Sequence, residues 1–399
     1  MLARRELGVQ GEKTRARRST RGRGIPAEVK VDGHRSAALN DEQLEGTTMN
    51  VSSDQSLMPE LGFYTLAGAP TSPRDLIDEV RLGEELGFGR TFISERFNVK
   101  EAVTLSGAAA AVSEKIGIET AATNHNTRHP LITASYASTM HRMTGGRFTL
   151  GLGRGVRGLY EAVGWPLVTT AQLEDFAGLM RRLWNGELVV GHDGPCGKFG
   201  ALQLDPSFEE NIPLGLVAFG PNTLELAGRA FDSVVLHTFF SDETLERCVR
   251  IVKSFAEQAG RDPDAVRVWA CLATIGDHLP YDVRLRKTVG RLATYLQFYG
   301  DLLVATNRWD PQKLAVFRND SVVAAFPRPI DGTATVAQLE HIADLLPTEW
   351  LECGATGSPA TCTRAIRSQI GLGANGVILH GAAPAELRPI VEHYAATRP

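Results

Sequence analysis

From residue 60 onward the chain repeats one rhythm: a short apolar run, then a stretch with apolar residues at helical spacing. The first unit is "LGFYTLAG" (61–68), followed by 72–89, where Leu76, Ile77, Val80, Leu82 and Leu86 recur at helical intervals. Ser72 suits an N-cap, Pro73 the first helical position, and Gly87 and Gly89 the exit. Runs at 90–96, 116–124, 148–155, 212–222, 232–240, 266–276 and 376–381 predict seven more strands. Helical patterns fall between them, as at 101–115, 129–147 and 169–187. Strands that alternate with helices pair in parallel through crossover connections. Eight such units predict an α/β chain folded as a (β/α)8 barrel, with its chemistry at the carboxyl ends of the strands. Insertions are expected near 188–211, hairpin-like, and near 277–357, mostly helical in pattern.

The barrel is assigned to residues 57–399, and residues 1–56 to a basic leader. Residues 1–48 carry 10 Lys and Arg against 7 Asp and Glu, which leaves 32 against 39 in the remainder. That leader is poor in apolar residues and is expected to be disordered; Met49 is an alternative start just before the first patterned segment. A net charge of −4 supplies no field for nucleic acid or an anionic membrane surface. No run of 18 apolar residues predicts a membrane span. The five cysteines are scattered without a C-x-x-C pair, so neither a disulfide framework nor a zinc ribbon is expected, and a cytoplasmic setting fits.

Residues 153–158, Gly-Arg-Gly-Val-Arg-Gly, spell G-x-G-x-x-G. A dinucleotide loop needs that pattern at the first strand of a βαβ unit, opening a helix. Here it closes the fourth unit, and Pro166 breaks the chain before a long helix can form. The glycines instead predict close backbone approach at a strand end. The other strand ends hold few acids. His125 and His129 are four apart, but Pro130 follows at a helix start, so they need not share a face, and no metal is expected. No G-x-S-x-G elbow supports a hydrolase. An aldolase-type barrel lacks a lysine near a strand end, the nearby cations being arginines. "FGPNT" (219–223) ends the fifth strand and opens a helix, whose free N–H groups offer an anion site at Gly220, Pro221, Asn222 and Thr223; an ordinary capped helix is the alternative.

The run "HPLITASYASTMHRMTGGRFTLGLGRGVRGLYEAVG" resembles the signature region of the luciferase-like flavin and deazaflavin oxidoreductases. "GFYTLAG", "ELGFGRTFISERF", "GPNTLELAGRAFD" and "GSPATCTRAIRSQIGLGANGVILHG" resemble the same family, in family order from about 60 to 395. The likeness points to the branch that uses coenzyme F420, with flavin mononucleotide (FMN) as the alternative. It implies a hydride transfer between F420 and a small organic substrate. An FMN-dependent monooxygenase and a non-catalytic flavin-binding barrel are the other readings. It places a non-prolyl cis peptide within Thr123-Asn124-His125, behind the cofactor ring. It lays Gly153 along the ring, brings Arg154 or Arg157 to a phosphate, and gives the phosphate to Gly220, Asn222 and Thr223. Many relatives read Ser-Glu-His-His where this chain has Ser94-Glu95-Arg96-Phe97, so an imidazole acid is missing there. Glu95, as a buried acid or as a partner of Arg96, and His125, as proton donor or as a loop histidine, are the catalytic candidates. A homodimer is expected. The insertions at 160–168, 188–211 and 277–357 are expected to line or cover the mouth, and the aromatic stripe "ATYLQFYGDLL" reads as core or dimer interface, with a substrate pocket as the alternative.

Overall fold

The structure is a computed structural model that describes residues 56–398 apart from Ala69 and Asn98. The expected disordered leader and the alternative start at Met49 lie outside the described residues.

Eleven strands are described: β1 (Met58–Tyr64), β2 (Phe88–Ile93), β3 (Gly117–Thr120), β4 (Phe148–Leu152), β5 (Val189–Gly194), β6 (Gly197–Leu202), β7 (Leu214–Val217), β8 (Ser233–Val235), β9 (Arg267–Gly276), β10 (Ala355–Gly357) and β11 (Gly376–His380). Eight of them close a parallel barrel in the order β1-β2-β3-β4-β7-β8-β9-β11, with β11 returning to β1. The predicted (β/α)8 barrel is therefore the fold. β10 extends β9 on one edge, and β5 and β6 form a separate antiparallel hairpin. Every residue of β3 and β4 is buried, as parallel strands covered on both faces require.

Seven helices matter below: α1 (Asp75–Glu85), α2 (Ala102–Ala111), α3 (Pro130–Met143), α4 (Arg157–Ala162), α5 (Thr170–Trp184), α6 (Pro221–Ala230) and α7 (Asp242–Gln258). The regular turns of α1 begin at Asp75, later than the Pro73 start expected from sequence. Ser72 still closes the end, since its Oγ accepts the Arg74 N–H at 3.1 Å. Gly87 ends the helix at a φ of +82°, a conformation that favours glycine.

The barrel interior is layered. Near the amino ends, buried Glu119 meets Arg90 (3.2 Å) and Ser233 (2.7 Å). Burial raises the Glu119 carboxyl, against the opposing pull of Arg90 and Ser233. Above it the rings of Phe92 and Trp269, both fully buried, meet edge to face at 5.0 Å. Val235, Ile378, Ala121 and Cys271 pack with that pair, and Tyr64 covers it. The carboxyl ends of the strands lie beyond this plug.

Candidate active site

A cavity of about 240 Å³ opens at those carboxyl ends. Its wall takes Tyr64–Gly68 after β1, Ser94 and Arg96 after β2, Ala121 after β3, and Leu236–Thr238 after β8. Cys271 of β9 and His380 of β11 complete the ring of strands, and Lys100, Arg291 and Tyr295 reach in from connecting segments. Ligand pockets run to roughly 300–1,000 Å³. This one has room for a ring or a small substrate, with the rest of a longer ligand left at the mouth. Three cations line it and no carboxylate does.

The cations are held from behind. Arg291 pairs with Asp331 at 2.8 Å. Arg96 Nη2 donates to the Gly68 carbonyl at 2.7 Å. Lys100, only 6% exposed, donates to the carbonyls of Thr65 and Leu66 at 2.9 and 3.2 Å. Burial lowers the Lys100 ammonium to about 7, and Arg96 pushes the same way against a weaker pull from Glu79. Among the described residues, Lys100 has no carboxylate in ion-pair contact. Arg96 Nε, Arg291 Nε and His380 Nδ1 are buried without a hydrogen-bond partner in the chain. Buried polar nitrogens without partners are uncommon.

The cavity histidines are neutral near pH 7. Burial pushes His237 down to about 4 and His380 well below the usual imidazole range. His237 Nδ1 donates to the Thr238 carbonyl at 2.8 Å, and Nε2 meets Tyr299 Oη at 3.2 Å. His380 Nε2 meets Tyr295 Oη at 3.3 Å. Tyr295 itself is pushed up to about 12 by burial. Part of the aromatic stripe expected in core or interface thus faces the cavity, although Phe298 stays 54% exposed.

Neither Glu95 nor His125, the predicted catalytic pair, lines the cavity. Glu95 pairs with Arg128 at 3.3 Å, not with Arg96. It also accepts the Thr123 hydroxyl at 2.5 Å and the Ala102 N–H at 3.1 Å. Its side chain is 1% exposed. His125 is buried, packs on Phe176 at 5.5 Å, and is held down to about 4 by burial. Its Nδ1 has no partner. Thr123 and Asn124 join β3 to β4: Thr123 N–H donates to the Gly151 carbonyl, and Asn124 Nδ2 to the Gly153 carbonyl at 2.8 Å. The cis peptide expected within Thr123-Asn124-His125 is instead Ala121–Ala122. Thr123 continues the ladder, bridging to Leu152, so the irregular step falls before it.

The glycine-rich run serves the chain itself. A Cβ on Gly153 would lie 2.9 Å from Ala122 Cβ. Gly155, at a φ of +73°, leaves room for the Tyr160 ring, which a Cβ would meet at 2.3 Å. Arg154 turns to the Val168 carbonyl and the Thr170 hydroxyl. Arg157 is 74% exposed and meets Glu161 at 3.4 Å along α4. At the start of α6, Gly220 is the N-cap and no side chain caps it. Pro221 and Asn222 are exposed, Thr223 is buried, and a Cβ on Gly220 would find nothing closer than 4.0 Å.

Sequence reasoning missed Lys100, Arg291, His237 and His380, while Tyr295 was among the aromatics expected in an insertion over the mouth. The two histidines stood in plain view in "HTFF" and "LHG", at predicted strand ends. Lys100 corrects the statement that no lysine lies near a strand end. An antiparallel bridge between Arg96 and Lys100 folds the segment back over the barrel mouth.

Residues 56–376 match the sequence profile of the luciferase-like monooxygenases. A 5,10-methylenetetrahydromethanopterin reductase from Methanolobus tindarius is 32% identical over 198 residues, 48% of this chain and 59% of the relative. The chain therefore spans about three-fifths of that relative's length. The structure of a coenzyme F420-dependent tetrahydromethanopterin reductase from Methanopyrus kandleri superposes with a TM-score of 0.70 at 20% identity, covering 84% of this chain and 97% of that one. A monooxygenase from Streptomyces bottropensis superposes with a TM-score of 0.59 at 19% identity, covering 85% and 98%. No described helix is long and apolar enough to cross a membrane.

Proposed function

The chain belongs to the luciferase-like monooxygenase family, and on that premise we propose that it is an oxidoreductase transferring a hydride between coenzyme F420 and a small organic substrate. The observation that carries this reading is the cavity lined by three cations and no carboxylate at the carboxyl end of the barrel. Such a wall favours a ligand that is anionic or gains electron density when reduced. The F420-dependent reductase among the structural neighbours supports F420. A neighbouring type II Baeyer–Villiger monooxygenase, solved in complex with FMN, supports FMN as the second reading.

The residues present fit such a cofactor. Arg96, Lys100 and Arg291 line the cavity and bring positive charge to an anionic ligand. The uncapped, open start of α6 offers the N–H of Asn222 and the end of the helix dipole to a phosphate. Bound F420 would supply the hydride-carrying carbon. The chain supplies exclusion of water by the aromatic plug, positive charge, and a proton. Lys100 Nζ is the group placed to hold or release that proton at neutral pH, because the nearby histidines stay neutral. Steady-state turnover of reduced F420 and of reduced FMN over a carbonyl and imine substrate panel tests the reading. Turnover of F420 without oxygen uptake supports it. Oxygen uptake with FMN assigns a monooxygenase, and binding without any turnover assigns a carrier.

A further inference from the structure

The β5–β6 hairpin carries a side-chain cluster that the barrel chemistry does not use. Asp175 projects from α5, His192 from β5, and Cys196 from the turn between β5 and β6. Their ligand atoms all lie within 4.8 Å of one another. His192 Nε2 is 3.1 Å from Asp175 Oδ2 and 3.6 Å from Cys196 Sγ. We propose that these three residues form a zinc-class metal site that clips the hairpin to α5.

The distances match the edges of a coordination tetrahedron. Zinc holds nitrogen and oxygen at about 2.0–2.1 Å and thiolate sulfur at about 2.3 Å, which sets ligand-to-ligand edges near 3.3 Å (N to O) and 3.5 Å (N to S). Both observed separations lie close to those edges. A nucleophile–histidine–acid triad would use the two ring nitrogens for its two partners. Here thiol and carboxylate face the same nitrogen. One imidazole N–H serves one acceptor well, whereas one cation serves all three groups together.

A second observation is independent of the ligands. A Cβ on Gly194 would lie 2.4 Å from Asp175 Oδ2 and 2.7 Å from His192 Nε2. Glycine at this position keeps the side of the cluster shared by those two atoms open. The supporting shell is also built. The Cys196 N–H donates to Asp175 Oδ2 at 2.9 Å, and Phe199 stacks on the His192 ring at 5.8 Å and 24°. The set of thiolate, imidazole and carboxylate selects zinc or cobalt over calcium or magnesium. With three protein ligands, the fourth position falls to solvent.

The test is a Co²⁺ titration of the untagged full chain, stripped of metal, at neutral pH. One Co²⁺ per chain is expected, with a near-ultraviolet thiolate band that Zn²⁺ abolishes by displacement. The band disappears in Cys196→Ser and survives in Cys353→Ser. Asp175→Asn weakens binding about tenfold or more, by analogy with losses even of outer-shell groups. Zn²⁺ slows hydrogen exchange across residues 189–202, a readout available whether or not the variants fold. Absence of stoichiometric binding, or a thiolate band unchanged in Cys196→Ser, overturns the proposal.

Discussion

Lys100 Nζ grips the carbonyl of Leu66 at 3.2 Å, while the N–H of the same Leu66 is held by Glu79 Oε2 at 2.6 Å. Leu66 is buried and left-handed, at a φ of +55°. A non-glycine residue there is costly by itself, so its neighbours must hold it. The Lys100 amino group and the Glu79 carboxyl group thus fix one peptide segment of the cavity wall from opposite sides.

Stability should therefore follow the charge of Lys100. Its ordinary value of 10.5 falls to about 7 on folding, through burial first and Arg96 second. Between those values the unfolded chain binds the proton and the folded chain does not, so stability falls as pH drops from 10.5 to 7 and stays lowered below. Lys100→Met removes this dependence. Melting temperatures of both proteins across pH 6–10 check it: the wild type should gain on the variant as pH rises. If Lys100 also handles the proton of the reaction, the kcat profile breaks near pH 7, and that break vanishes in the variant.

Gly220→Val should weaken cofactor binding far more than it lowers the melting temperature. The Gly220 backbone, at a φ of −98°, accepts a side chain, and the nearest atom to its Cβ is 4.0 Å away. Thr223 is buried, so a bulky apolar residue there costs stability as well as binding. Fluorescence titration alongside thermal melts separates the two effects. Equal losses in Gly220→Val would leave α6 with a structural role alone.

F420 should bind more tightly than FMN at low salt, and the margin should shrink as salt rises. Its oligoglutamate tail carries several negative charges past the phosphate, and Arg157 and Lys198 are exposed cations, 74% and 79% accessible. Each already pairs with an acid on its own element, Glu161 and Asp193. Exposed pairs of this kind contribute about 0–1 kcal/mol each and are screened. Titrations of both cofactors at two ionic strengths decide the matter. Tighter FMN binding at low salt reverses the assignment.

Glu95→Ala should cost about 2–3 kcal/mol of stability, since it strips a buried carboxylate from Arg128, Thr123 and the start of α2. Arg128 keeps a second partner in Glu101, which limits the loss. Urea denaturation measures it. A variant with unchanged stability and abolished turnover would restore Glu95 as an acid of the reaction.

The barrel was legible because burial leaves so clear a mark on parallel strands. All eight barrel strands overlap the apolar runs read from sequence, with β1 and β2 starting three and two residues before theirs. At "IETAATN" the hydrogen-bonded strand stops at Thr120 while the small residues run on, and composition does not show where the ladder breaks. The site was less legible. Arg291 and Tyr295 come from a helix that begins 15 residues after the end of β9, and nothing local ties them to the mouth. Lys100 looks like a surface lysine beside Glu101 until the Arg96–Lys100 bridge turns it inward. The glycines of 153–158 were visible, but the Ala122 and Tyr160 side chains that fill the space beside Gly153 and Gly155 were not.

The Phe92–Trp269 plug floors the cavity, with Tyr64 packed over it. A ligand entering from the carboxyl ends of the strands stops at that floor. What reaches Tyr64 and Cys271 is therefore the leading end of the molecule, and any part of it beyond about 240 Å³ trails toward the mouth.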